Sequence, residues 1–235
     1  MAVPETSTII KWTTIVLGVG FIVGLFVFNQ SQPKTSPHTS SDPWNLAMVQ
    51  GDVNAPNKMV EYTDYFCSFC AELHDAMDDE FHERYIDSGK VSFENRIVNL
   101  LSEVSVNTPK GNRAAFCAAD QDKYWQYSDK IIAKIQQDYF SKGIGVKNVA
   151  NPKKIPELEN SFFVDIAKEV GMEQDKFASC IDSDKHDAEI ERNSQKAISL
   201  GVTGLPSITV NAYTASGFGG SKDDLEMIMR AGEVE

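Results

Sequence analysis

Cys67 and Cys70 stand three residues apart where a strand-like pattern gives way to a helical one, in the run Tyr65-Phe66-Cys67-Ser68-Phe69-Cys70. Upstream, Lys58-Met59-Val60-Glu61-Tyr62-Thr63 alternates as a strand does. Downstream, Phe69, Leu73, Met77 and Phe81 recur at helical intervals, which predicts a helix over 68–88 with Gly89 as its stop. A cysteine at a helix start lies near unpaired backbone N–H groups and the positive end of the helix dipole, and both favour thiolate over thiol. Cys70, one turn further in, is placed to close a disulfide with Cys67 or to resolve a mixed one. The pair therefore reads as redox-active.

Two duller readings are weaker. A C-x-x-C pair is also a zinc half-site, and His74 follows four residues after Cys70. Zinc takes four ligands, however, and Cys117 and Cys180 stand singly rather than as a second C-x-x-C, so no metal or other cofactor is expected. A purely structural bridge would close too small a loop to constrain the unfolded chain much. His74 and His82 then read as surface residues of the helix. Four cysteines are an even number, compatible with an oxidising compartment but too few for a disulfide scaffold. The formal net charge of −12 argues against a nucleic-acid partner.

Residues 12–28, WTTIVLGVGFIVGLFVF, carry no charge and follow Lys11. Seventeen apolar residues are near the lower limit for a bilayer span. No A-x-A cleavage pattern follows Phe28, so the segment reads as an uncleaved signal-anchor with residues 1–11 cytoplasmic. Residues 29–43 are rich in Ser, Thr and Pro without apolar periodicity and read as a flexible linker. Residues 44–235 form the folded domain, which would then lie outside the cytoplasm, in a periplasm or at the cell surface.

Within that domain, Trp44 opens a short strand and turn, and Val91 to Val98 alternates as a further strand. One long helix is expected from Asn112 to Ile135, a Gly-, Lys- and Pro-containing break at 141–157, and further helices at 158–170, 173–182 and 185–200. The pattern returns to β at Ile208-Thr209-Val210 and turns through 217–220. A last helix begins at Ser221, which with Asp224 has capping-box spacing. This is an α/β plan with a helical subdomain inserted over about 105–200.

A second motif, Gly201-Val202-Thr203-Gly204-Leu205-Pro206-Ser207-Ile208-Thr209-Val210-Asn211, completes the picture. With the acidic and aromatic run from Glu61 into Cys67, it resembles the DsbA-like family of thioredoxin-fold disulfide oxidoreductases over roughly residues 44–231. The resemblance implies a thioredoxin-like fold in which Pro206 is cis and packs beside the cysteine pair, with Thr203, Gly204 and Leu205 forming the adjoining loop. A cis X-Pro bond turns the chain sharply and would leave the Leu205 backbone beside Cys67, free to pair with an extended substrate. The resemblance also implies a buried acid at Glu61 that relays protons to or from Cys70; a charged residue on the solvent face of a strand is the alternative. Asp64 carries the same two readings. Some relatives join the inserted helices by a disulfide at the places of Cys117 and Cys180, and two such cysteines in an exported domain are expected to pair.

The function expected is protein disulfide oxidation: a Cys67–Cys70 disulfide passed to unfolded or reduced exported proteins, and regenerated by a membrane quinone-linked thiol oxidase, a partner the resemblance implies. One departure matters. The family's strongest oxidant has Pro-His between its cysteines, where this chain has Ser68 and Phe69. Without an imidazole beside the Cys67 thiolate, a reductase or isomerase of the same fold stands as the alternative. A non-catalytic zinc- or protein-binding module is the remaining one.

Overall fold

The computed structural model describes residues 48–146 and 153–235. The expected anchor at 12–28 and linker at 29–43 lie outside them, and among the described residues no helix is long and apolar enough to cross a membrane.

Five strands form one mixed sheet: β1 (Val49–Gln50), β2 (Asn57–Thr63), β3 (Val91–Ile97), β4 (Ser207–Val210) and β5 (Tyr213–Ser216), in the order β1-β3-β2-β4-β5. β2 is central, parallel to β3 and antiparallel to β4, with Glu61 opposite Asn95 on one side and Ile208 on the other. Met59 to Thr63 are all buried. Successive side chains on β2 point to opposite faces, so Met59 joins one apolar cluster with Leu73, Phe93 and Leu225, whereas Val60 and Tyr62 join another around Cys67 and Cys70. A strand buried on both faces reads as continuously apolar, and Glu61 and Thr63 are the polar interruptions in it.

α1 (Ser68–Ala76) follows β2 directly. The single helix expected over 68–88 is broken at Met77, whose backbone leaves the helical region. Asp78 starts a second segment, α2 (Asp79–Phe81), by accepting the Phe81 N–H at 3.2 Å, and it continues as a π-helical turn over His82–Ile86. Apolar spacing runs through the break because both segments cover the same sheet face, so periodicity alone does not reveal it. Gly89 ends the segment at φ +73°, the left-handed conformation glycine adopts without steric cost.

Between β3 and β4 lie α3 (Thr108–Ala119), α4 (Tyr124–Asp138), α5 (Asn160–Glu169), α6 (Gln174–Ile181) and α7 (Asp187–Ser199). The long helix expected from Asn112 to Ile135 is two helices. The chain turns at Asp120–Lys123, with Asp122 at φ +55°, a region that Asp tolerates better than most residues. α3 is buried on nearly every side, from Ala114 to Ala119, with Tyr127, Phe163 and Phe177 around it. α7 packs on β3, and α8 (Lys222–Ala231) packs on α1 and β4. Ser221 and Asp224 form the expected reciprocal cap at the start of α8.

Gly111 of α3 sits against Phe66, immediately before Cys67. A Cβ there would come within 2.6 Å of the Phe66 ring, far inside van der Waals contact. Gly111→Ala is expected to cost about 1–3 kcal/mol through overpacking, despite the better helix propensity of alanine. Urea unfolding checks this; equal or greater stability would show that Phe66 is free to move aside.

Candidate functional site

The C-terminal end of β2, the start of α1 and the loop before β4 meet at the two cysteines. Asp64 shapes the approach: its Oδ1 accepts the Phe66 N–H at 2.8 Å, and its carbonyl accepts the Cys67 N–H at 3.1 Å. This tight turn delivers Cys67 to the N-cap of α1, with extended backbone angles (φ −99°, ψ 112°). Cys67 Sγ there accepts the Cys70 N–H at 3.4 Å, a donor of the first helical turn that it shares with the Cys67 carbonyl at 3.1 Å. The Cys67 thiol lies 3.5 Å from the Leu205 carbonyl oxygen, to which it donates. Both cysteines are free thiols, and both are largely buried.

The Leu205–Pro206 peptide bond is cis. The loop carrying it is pinned by Ser207 Oγ, which donates to the Gly204 carbonyl at 2.9 Å, and by the Gly217 N–H, which donates to the Pro206 carbonyl at 2.8 Å. Thr203, Gly204 and Leu205 line one wall of a groove of about 610 Å³ that reaches Cys67 and Ser68. Phe66, Phe69, Leu100, Leu101, Val104 and Val202 give it an apolar lining. Within that lining Val104 is 45 % exposed. The groove suits an extended, apolar stretch of polypeptide.

Behind the cysteines buried polar groups gather. Glu61 is 5 % exposed, which decides between its two sequence readings in favour of the buried acid. Burial pushes its carboxyl up to about 7, and Thr63 draws it partly back. The Cys70 thiol is raised well above its usual range, first by burial, then by Cys67 and by the Glu61 charge. Asp64 is fully buried and is raised to about 6, again by burial, with Phe66, Thr108 and Asn112 opposing. Thr63, Thr108 and Asn112 carry no signal in the sequence: they are ordinary strand and helix residues until packing turns them toward a carboxyl. The same holds for Ser128, whose hydroxyl meets that of Tyr65 at 2.6 Å.

Below pH 4.5 Glu61 is protonated in both folded and unfolded chains. Between 4.5 and about 7 the folded chain keeps that proton and the unfolded chain has lost it, so stability falls as pH rises through this window. Glu61→Gln is expected to remove the slope and to raise stability at pH 8 by about 3 kcal/mol. Asp64 adds a smaller slope between 3.8 and about 6 that this variant leaves in place. Unfolding free energies at pH 5 and pH 8 read the effect; parallel losses in parent and variant would rule it out.

The remaining sequence candidates lie elsewhere. Cys117 of α3 and Cys180 of α6 are disulfide-bonded, with Cα atoms 5.9 Å apart. His74 faces Asp129 at 3.6 Å. His82 is not a simple surface residue: its ring bridges the Asp78 carbonyl at 3.0 Å and Gln50 Oε1 at 3.1 Å, tying the π-helical turn to β1.

Comparison with known proteins agrees with this arrangement. A family model described as Thioredoxin matches residues 45–226. Among curated relatives, a probable disulfide bond formation protein D of Bacillus anthracis is 23 % identical over 204 residues, covering 85 % of this chain and 86 % of the relative. Disulfide bond formation protein D of Bacillus subtilis is 25 % identical over 180 residues, covering 72 % and 70 %. Among solved structures, oxidised BdbD from Bacillus subtilis superposes with a TM-score of 0.63 at 16 % identity, covering 79 % of this chain and 91 % of that one. DsbA from Chlamydia trachomatis gives 0.60 at 16 % identity, covering 85 % and 96 %. With a family model spanning most of its length and a C-x-x-C pair at the head of a helix facing a cis-proline loop, the chain belongs to the thioredoxin family, as a DsbA-like thiol-disulfide oxidoreductase.

Proposed function

We propose that the chain is a disulfide oxidase for exported proteins, anchored in a membrane by residues 12–28 with its folded domain outside the cytoplasm. The observation that carries the reading is the position of Cys67 Sγ at the groove, within 3.5 Å of the Leu205 carbonyl, with Cys70 behind it beside a buried acid. The curated relatives, which are disulfide bond formation proteins by name, support disulfide formation as the direction.

In the forward reaction the Cys67–Cys70 disulfide is the oxidant. A substrate thiolate attacks Cys67 Sγ, the S–S bond breaks, and Cys70 leaves as a thiolate. Buried and with a raised pKa, that thiolate takes up a proton, and Glu61, near 7, is matched to supply it at neutral pH. A second substrate thiolate then attacks the substrate sulfur of the mixed disulfide and releases Cys67. Two substrate thiols are oxidised and the enzyme disulfide is reduced to a dithiol. A membrane thiol oxidase that passes the two electrons to quinone would restore it. Ser68 and Phe69 leave the Cys67 thiolate without an imidazolium partner, which favours a milder oxidant and keeps the reductase or isomerase as the second reading.

The equilibrium potential of the Cys67–Cys70 pair in the full-length chain, titrated against glutathione, separates the two. A value above about −230 mV is expected; one near or below the roughly −270 mV of thioredoxin would make the chain a reductase. Cys70→Ser, which keeps the Cys67 sulfur and removes the resolving one, is expected to accumulate mixed disulfides when its Cys67 thiolate attacks the disulfide of an oxidised substrate and releases one substrate thiol, visible by mass on non-reducing gels.

A further inference from the structure

The Cys117–Cys180 disulfide joins α3 to α6, and two further donor side chains stand beside it. His186, at the start of α7, brings a ring nitrogen within 4.8 Å of both sulfurs, which are bonded to each other. Asp120, at the end of α3, places Oδ2 at 2.8 Å from His186 Nε2 and 3.6 Å from Cys180 Sγ. His186 is 3 % exposed, and its ring stacks on Phe116 at 5.4 Å, so its orientation is fixed by packing rather than by solvent. Cys117 is buried, whereas Cys180 is partly open to a broad depression of about 920 Å³ that gives a route in from solvent.

From this juxtaposition we infer that Cys117, Cys180, His186 and Asp120 form, when the two cysteines are thiols, a binding site for a borderline-soft divalent cation such as zinc. The chemistry of the donor set is two sulfurs, one imidazole nitrogen and one carboxylate oxygen, a combination that zinc accepts in four-coordinate sites. Zinc–ligand bonds of about 2.0–2.3 Å put neighbouring donors of a tetrahedral shell about 3–4 Å apart; Asp120 Oδ2 already stands near that distance from His186 Nε2 and Cys180 Sγ, and reduction frees the two bonded sulfurs to separate to it. Four donors come from three elements that the fold already holds together, α3, α6 and the start of α7.

Every chain begins with these residues as thiols. Binding then releases two protons and leaves two thiolates on the metal, with no change in oxidation state. Oxidation takes two electrons from the dithiolate, forms the S–S bond and expels the cation, so the disulfide and the metal exclude each other. An acceptor disulfide, such as oxidised glutathione, becomes two thiols in that exchange. Lys185, whose ammonium lies 2.7 Å from Asp120 Oδ2, adds a positive charge beside the cluster. It offsets the net negative charge that two thiolates and a carboxylate leave around a divalent ion.

The test uses full-length chain carrying Cys67→Ser and Cys70→Ser, so that the C-x-x-C pair contributes no thiolate. The reduced, desalted protein is titrated with cobalt(II) without oxygen, then with zinc(II). The expected result is one equivalent of cobalt bound with a thiolate-to-metal absorption band, displaced by one equivalent of zinc, in protein that keeps its near-ultraviolet circular dichroism. The same protein with its Cys117–Cys180 disulfide intact should give no band. His186→Gln and, separately, Asp120→Asn should each weaken cobalt binding at least tenfold; both are first checked for unchanged melting in the disulfide form, and either suffices if the other fails to fold. Absence of the band overturns the inference. So does a band of full strength in both variants, or one seen only in protein that has lost its near-ultraviolet dichroism, since an open chain with two thiolates would bind cobalt without any built site.

Discussion

Cys67→Ser is expected to reduce disulfide transfer to a reduced protein or dithiol peptide by at least about a thousandfold, to the level of the uncatalysed exchange. The reason is the chemistry of the atom. Exchange requires a sulfur that can be attacked within a disulfide and leave as a thiolate, and a serine hydroxyl supplies neither. No other sulfur substitutes: Cys70 is the deeper thiol, its pKa raised by burial, and Cys67 is the one at the apolar groove. The fold should tolerate the change, since a serine side chain caps a helix start as Cys67 Sγ does here. Melting of the variant therefore serves as the control. Retention of more than a tenth of the parent rate, measured by fluorescence of a dithiol peptide, would remove Cys67 from the reaction.

Replacing Cys117 and Cys180 together by alanine is expected to cost about 4 kcal/mol. The bond joins residues 63 apart in sequence, and a crosslink closing a loop of that length removes much of the freedom of the unfolded chain. For a domain of this size, about 4 kcal/mol corresponds to a melting temperature lower by roughly 8–16 °C. Alanine suits the place of Cys117, because α3 is already packed with alanines around it, and it is a good helix former at Cys180 in α6. Calorimetry of parent and variant decides it. A loss under about 1 kcal/mol would mean that the unfolded chain keeps these helices together without the bond.

These two predictions rest on features legible to very different degrees. The redox pair stands in the sequence because C-x-x-C at a strand-to-helix boundary is a local pattern, and helix caps and strand alternation are local as well. The cap at Ser221 and the strand leading into Cys67 were readable for that reason. The breaks at Met77–Asp78 and Asp120–Lys123 were not. Apolar spacing records which residues are buried, and at each break it continues because the segments on both sides contribute to one apolar cluster.

What the sequence determined by itself is the reactive pair, the α/β order of elements and the block of helices between β3 and β4, all carried by spacing along the chain. Tertiary structure alone decided the protonation chemistry around that pair. Glu61 reads equally well as a solvated strand residue or a buried acid until β3, β4 and the helices close over it, and burial then sets its pKa near 7. The convergence of Asp120 and His186 on Cys117 and Cys180 has the same origin: their separations in sequence say nothing of distance, because only the packing of α3, α6 and α7 brings those side chains together. Local patterns encode which groups are present, whereas desolvation and proximity are properties of the assembled core.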